Sequence, residues 1–199
     1  LEKEHIYKAQ NQQCRFQMSD RTLEEFIRQY IAAQTQPYVL FVWHGGEPLM
    51  RTIDFYKRVV ELQQKYARGR RIDNCIQTNG TLLNEEWCTF FAKHNWLVGV
   101  SIDGPQEFHD AYRRTKGDQP SFLKVMKGVE LLNRYGVEWN AMGVVNDINA
   151  NYPSEVYHFY KEIGCRYIQF APIIERICSH ADGRHLATIN DAGAQLANF

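Results

Sequence analysis

The sequence lacks any cysteine pair at metal-binding spacing. Its five cysteines, Cys14, Cys75, Cys88, Cys165 and Cys178, are never two, three or four residues apart, so no CxxC framework arises and no metal ligand is expected among them. It also lacks a charge excess: 23 Lys plus Arg balance 23 Asp plus Glu, which argues against a nucleic-acid binder or a polybasic membrane-surface protein. No apolar run approaches the roughly 20 residues that span a bilayer. No Ser/Gly/Pro-rich linker divides the chain, so a single domain is expected. The sequence opens LEKEHIYK, with neither an initiator Met nor a secretory leader. That opening and the odd cysteine count point to reduced thiols and a cytoplasmic location. The abrupt start at Leu1 and the helix-like close INDAGAQLANF read as a portion of a longer polypeptide.

What is present suits a globular fold: 44% hydrophobic and 13% aromatic residues over 199 positions are enough for a sizeable core without disulfides. Residues 1–18 show no clear period. Ser19-Asp20 offers an N-cap to LEEFIRQYIAA, where Leu23, Phe26, Ile27, Tyr30 and Ile31 recur at helical spacing. YVLFVW (Tyr38–Trp43) is apolar on both faces, as a buried parallel strand would be. Helices are then expected over 54–66, 84–94, 121–135 and 155–163, and strands over 72–77, 96–102, 137–145 and 167–171. Five strands each separated by one main helix give βαβ units, hence an α/β fold with a parallel sheet, as an open doubly wound sheet or a barrel. Cys75 falls in an expected strand and Cys165 just before one, whereas Cys14 and Cys178 fall in polar loops.

The polar signatures cluster where strands end, which is where both architectures hold ligands. WHGGEP (43–48) pairs two glycines, which let backbone approach a ligand, with a carboxylate that can accept from an ammonium group. QTNG (77–80) carries two amides, Gln77 and Asn79, that alternation places on one side. In SIDGP (101–105), Ser101 and Asp103 share a face, and Asp103 is alternatively a helix N-cap. In HDAYRRTKG (109–117), Arg113 or Arg114 can clamp a carboxylate in bidentate fashion. Each has a plainer reading too: a tight turn, an Asn-Gly turn, a cap, a solvated basic loop.

As a set and in this order, WHGGEP, IQTNG, VSIDGP with His109, YRRTKG and YIQFAPIIER (167–176) resemble the radical S-adenosylmethionine (SAM) superfamily, and within it the anaerobic sulfatase-maturating enzymes. The resemblance implies a partial (β/α)6 barrel of parallel strands spanning 19–176. It follows an irregular segment at 1–18 and precedes, at 177–199, a connection to a further C-terminal region. The family's first strand, missing here, leads to a CxxxCxxC loop that holds a [4Fe-4S] cluster. SAM on that cluster yields a 5′-deoxyadenosyl radical, which oxidises a Cys or Ser of a client sulfatase to Cα-formylglycine. Carried over by motif, Gly45, Gly46 and Glu47 meet the SAM amino group, Ser101 the ribose and methionyl portion, and Arg113, rather than Arg114, the carboxylate. Gln77 lies beside SAM and the client peptide, with Asn79 and His44 as further peptide contacts.

The resemblance begins just after the position of the cluster cysteines. The chain is therefore expected to lack them, to carry no catalytic residue of its own and to be inactive alone. A non-catalytic remnant, or a peptide-modifying enzyme with another client, fits the same motifs; an aldolase- or epimerase-like barrel would normally show a catalytic Lys or a phosphate-binding Gly loop after late strands, and the sequence shows neither. The sheet edge left by the missing strand is expected to favour dimerisation.

Overall fold

The computed structural model describes residues 17–178 and 185–189. Most of the expected irregular segment at 1–18 and of the connection at 177–199 therefore lies outside the described residues, Cys14 among them. The chain divides into two compact units. One takes the described residues up to Val39 together with Asp54–Arg71; the other takes Leu40–Ile53 and the described residues from Ile72 on.

In the first unit, helix α1 (Asp20–Ala33) starts where Ser19 Oγ accepts the Thr22 amide at 3.1 Å, the anticipated cap. Its buried stripe Leu23, Ile27 and Ile31 follows the helical period read from sequence. Helix α2 (Ile53–Tyr66) buries Tyr56, Val59 and Leu62. Glu24 of α1 accepts from Lys65 Nζ and Tyr66 Oη of α2, both at 2.7 Å. Arg70 then closes the C-terminal end of α1 by donating to the carbonyls of Ile31 and Gln34.

The second unit carries the sheet apart from Tyr38, Val39 and Arg71. Strands β1 (Tyr38–Trp43), β2 (Arg71–Thr78), β3 (Leu97–Ser101), β4 (Trp139–Val145) and β5 (Ile168–Pro172) lie side by side in sequential order. The pairings from β2 to β5 are parallel and put Gln77 beside Gly99, Gly99 beside Asn140, and Ser101 beside Met142. Helices α3 (Glu85–His94), α5 (Phe122–Arg134) and α6 (Pro153–Glu162) connect successive strands, as the periodicity predicts. The core lies on one face of the sheet, where Ile76, Val98, Val100, Ile102, Ala141 and Val145 are buried. Phe90 and Phe91 of α3 pack against Trp96 with ring centroids 5.5 and 5.8 Å away, and Trp87 packs against both phenylalanines.

Three expectations are corrected. YVLFVW is not buried on both faces: Val39 and Phe41 are buried, whereas Leu40 and Val42 are 46% and 61% exposed. Successive side chains of a strand point to opposite faces, and in β1 only one of the two sets is buried. The β3–β4 connection holds two helices, since α4 (Gln106–Tyr112) precedes α5. At seven residues it is too short to show a helical period. Cys178, expected in a polar loop, ends strand β6 (Ile174–Cys178), which pairs antiparallel with β7 (His185–Ile189). No helix among the described residues is long and apolar enough to cross a membrane.

Candidate functional site

Strand alternation puts Gln77, Gly99, Ser101, Asn140 and Met142 on the face opposite the helical core. There Gln77 Nε2 donates to Ser101 Oγ at 3.0 Å, so two of the sequence-nominated residues meet directly. Parallel strands with helical crossovers offer their ligand site at the C-terminal ends, which is where this pair sits.

The loop after β1 is tied to the end of β2 by Glu47. Its Oε1 accepts from Thr78 Oγ1 at 2.7 Å and the Leu49 amide at 3.0 Å, and its Oε2 accepts from the Asn79 amide at 2.8 Å. Glu47 thus caps the short 3-10 turn Pro48–Met50 and spends three of about four acceptor positions on the protein. The neighbouring His44, Gly45 and Gly46 are exposed. Gly45 has a φ of 146°, and a Cβ at either glycine would meet nothing within 4 Å, so their backbone is open to an incoming group. His44 turns inward on its own loop, its Nδ1 accepting from the Gly45 amide at 2.8 Å.

Asn79 parts company with Gln77. Its Oδ1 accepts from the amide and the hydroxyl of Thr81 at 2.9 and 2.7 Å, an Asx turn that shapes the Asn-Gly corner. Arg113 does make the bidentate grip anticipated for it, and the carboxylate it holds is Asp103. Nε and Nη2 donate to Oδ2 and Oδ1 at 2.6 and 2.9 Å. Asp103 caps no helix; Pro105 holds the N-cap of α4, with no side-chain bond. Instead Asp103 Oδ1 accepts the Val144 amide of β4 at 2.8 Å. Arg114 serves its own turn, donating to Asp118 and to the Asp110 carbonyl.

Sequence reasoning missed the supports. Asn149 is buried and donates through Nδ2 to the carbonyls of Asp103 and Val144, both at 2.9 Å, while Asn146 and Asn149 bond each other's backbone amides. Thr78 is missed too. The available signal was an Asn-Asp pair at the end of β4, matching the polar ends of β1 to β3.

The described residues do not suit an iron–sulfur cluster. No group of three or more His, Cys, Asp or Glu among them is arranged to hold a metal ion. Burial pushes the Cys88 thiol up to about 11 and raises those of Cys75 and Cys165, whereas cluster ligands are thiolates. For SAM the fit is better, because open glycine backbone and a hydroxyl–amide pair at strand ends match a ligand with several polar groups. A cavity of about 350 Å³ opens at the other end of the sheet, lined by Leu97, Glu138, Trp139, Arg166 and Tyr167. These are the N-terminal ends of β3 to β5, away from the nominated residues and from where this architecture binds ligands.

Comparisons with known proteins identify the family. The model of the radical SAM superfamily matches residues 8–160. A serine-type anaerobic sulfatase-maturating enzyme of Bacteroides thetaiotaomicron is 66% identical over 201 residues, covering 100% of this chain and 48% of that protein. A cysteine-type enzyme of Clostridium novyi is 38% identical over 163 residues, covering 81% and 44%. The solved structure of native anSMEcpe with bound AdoMet and Cp18Cys peptide superposes with a TM-score of 0.81 at 30% identity, covering 89% of this chain and 50% of that one. This chain therefore spans about half the length of the relatives it matches.

Proposed function

Because this chain belongs to the radical SAM superfamily, we propose that the protein it represents is an anaerobic sulfatase maturase, oxidising a serine or cysteine of a client sulfatase peptide to Cα-formylglycine. The observation that carries this reading is the 66% identity to a serine-type maturase over the whole chain, and the same match favours a serine client. SAM and a cluster, where bound, would supply one-electron chemistry at the client Cβ. The residues here bind and orient. Gly45 and Gly46 present open backbone to the SAM amino group, and Glu47 holds that loop against β2 with one acceptor position left. Ser101 and Gln77 face the ribose and methionyl portion and the peptide. Arg113 keeps a guanidinium edge for the SAM carboxylate while Asp103 holds the other. Asn79 and His44 border the peptide.

The test uses the full-length protein, reconstituted anaerobically with iron and sulfide and given SAM with paired Ser and Cys client peptides. Formation of 5′-deoxyadenosine and of formylglycine, faster with the serine peptide, is expected; a cluster-loaded sample that forms neither overturns the reading. A cytoplasmic location and dimerisation through the β1 end of the sheet belong to the same proposal. Sedimentation velocity of residues 1–199 reads the latter, and a monomer at tens of micromolar refutes it.

A further inference from the structure

In the middle of β3, between the fully buried Val98 and Val100, sits Gly99, itself buried. Glycine is a poor choice for a strand interior: it costs more conformational entropy than alanine and packs nothing. The register explains what its missing side chain does. Gln77, Gly99 and Asn140 form one row across β2, β3 and β4 on the ligand face. A Cβ at Gly99 would overlap Gln77 Oε1 outright, come to 3.0 Å from Gln77 Cδ and lie 3.2 Å from Asn140 Oδ1. The Gln77 carboxamide therefore lies flat over the bare backbone of β3, and this is the path by which its Nε2 reaches Ser101 Oγ at 3.0 Å. With a side chain at position 99 the amide would have to stand off the sheet and lose Ser101.

We infer that Gly99 is a positioning residue: by leaving out a side chain it lays the Gln77 amide across β3 and aims it, together with Ser101, at the bound ligand. The inference rests on the reading that Gln77 and Ser101 contact SAM or the client peptide. It assigns Gly99 no contact of its own with either, since its effect passes through Gln77.

A double-mutant cycle on the full-length, cluster-reconstituted protein tests it, with wild type, Gln77→Ala, Gly99→Ala and the double variant. SAM and client-peptide affinities are measured separately by equilibrium binding, alongside melting temperature. Gln77→Ala is expected to weaken one of the two ligands about tenfold, the scale of one well-placed hydrogen bond to a ligand. Gly99→Ala should weaken the same ligand by a similar factor. In the Gln77→Ala background it should change binding less than about twofold, because two sites acting through one contact do not add. The melting temperature of the double variant should not fall below that of Gln77→Ala, since alanine suits a strand better once the overlap is gone. If Gly99→Ala alone fails to fold while the double variant folds, that rescue supports the same assignment.

Equal losses from Gly99→Ala in both backgrounds, no loss from it in the wild type, or two variants that both fail to fold would each overturn the inference. Should Gln77→Ala leave both ligands unchanged, the reading of Gln77 fails first, and Gly99 has nothing to position. The single Gln77 variant thus separates failure of the site reading from failure of the positioning role.

Discussion

Truncating Arg113 to alanine is expected to destabilise the fold by about 3–5 kcal/mol, the cost of leaving a buried charge without its partner. The Asp103 side chain is 3% exposed. Its carboxylate is satisfied from three directions: Arg113 Nε at 2.6 Å, Arg113 Nη2 at 2.9 Å and the Val144 amide at 2.8 Å. Without the guanidinium, one backbone amide remains to hold a desolvated anion. The loss spreads, because Asp103 links the end of β3 to β4 and its carbonyl is held by Asn149. Arg113→Lys should recover part of the loss, since a single ammonium keeps the charge and gives up the fork. Pairing Arg113→Met with Asp103→Asn should recover most of it, because the buried charge is then gone. Urea unfolding at neutral pH reads all three. A change below about 0.5 kcal/mol in Arg113→Ala, the scale of an ordinary surface substitution, would mean the pair is incidental.

The second large effect is a loss of stability in mild acid, centred on His109. This imidazole is fully buried, and its Nε2 lies 3.0 Å from Ser121 Oγ. Ser121 spends its own proton on the Arg113 carbonyl at 2.6 Å. The network therefore assigns the imidazole proton to Nε2 and leaves Nδ1, which has no hydrogen-bond partner, with a lone pair. Burial, and next the nearby Arg113 charge, pull His109 down to about 4, against smaller opposing effects from Asp103 and Asp110. In the unfolded chain a histidine titrates near 6.5. Between those two values the unfolded state binds a proton that the folded state refuses, so stability falls as pH falls. The contribution is fully present above about 6.5 and lost below about 4, and it amounts to roughly 3 kcal/mol. Unfolding free energies at pH 7.5 and 4.5 should differ by less in His109→Gln than in the wild type, because glutamine does not titrate. Identical pH slopes in the two proteins would refute the assignment.

Both effects lie in contacts that the sequence shows only as separate motifs. Asp103 and Arg113 were each legible as functional polar residues, ten positions apart and read as independent. The short helix α4 between them folds the chain back so that one grips the other. Gln77 and Asn79 looked like equivalent neighbours; one reaches across to Ser101 and the other closes its own turn. The Glu47 carboxylate, legible as an acceptor, turned out to have three donors within the protein. The Asn-Asp pair ending β4 marked the neighbourhood of Asn149, but a buried threonine or asparagine such as Thr78 or Asn149 looks like any other until its partners are known.

The sequence by itself determined the α/β architecture and its order of strands. Runs such as RIDNCIQT and WNAMGVV, separated by amphipathic helices, carry their periodicity in consecutive residues and so need no knowledge of distant contacts. It also marked the strand ends as the place where polar residues gather, because a polar residue stopping an apolar strand must meet a polar partner or a ligand. Which partner each one meets was decided only by the tertiary structure. That choice depends on strand register and loop length, through which Gly99 comes to lie under Gln77 and Val144 comes to face Asp103. Residues far apart in sequence share one hydrogen-bonding surface only after the sheet has formed.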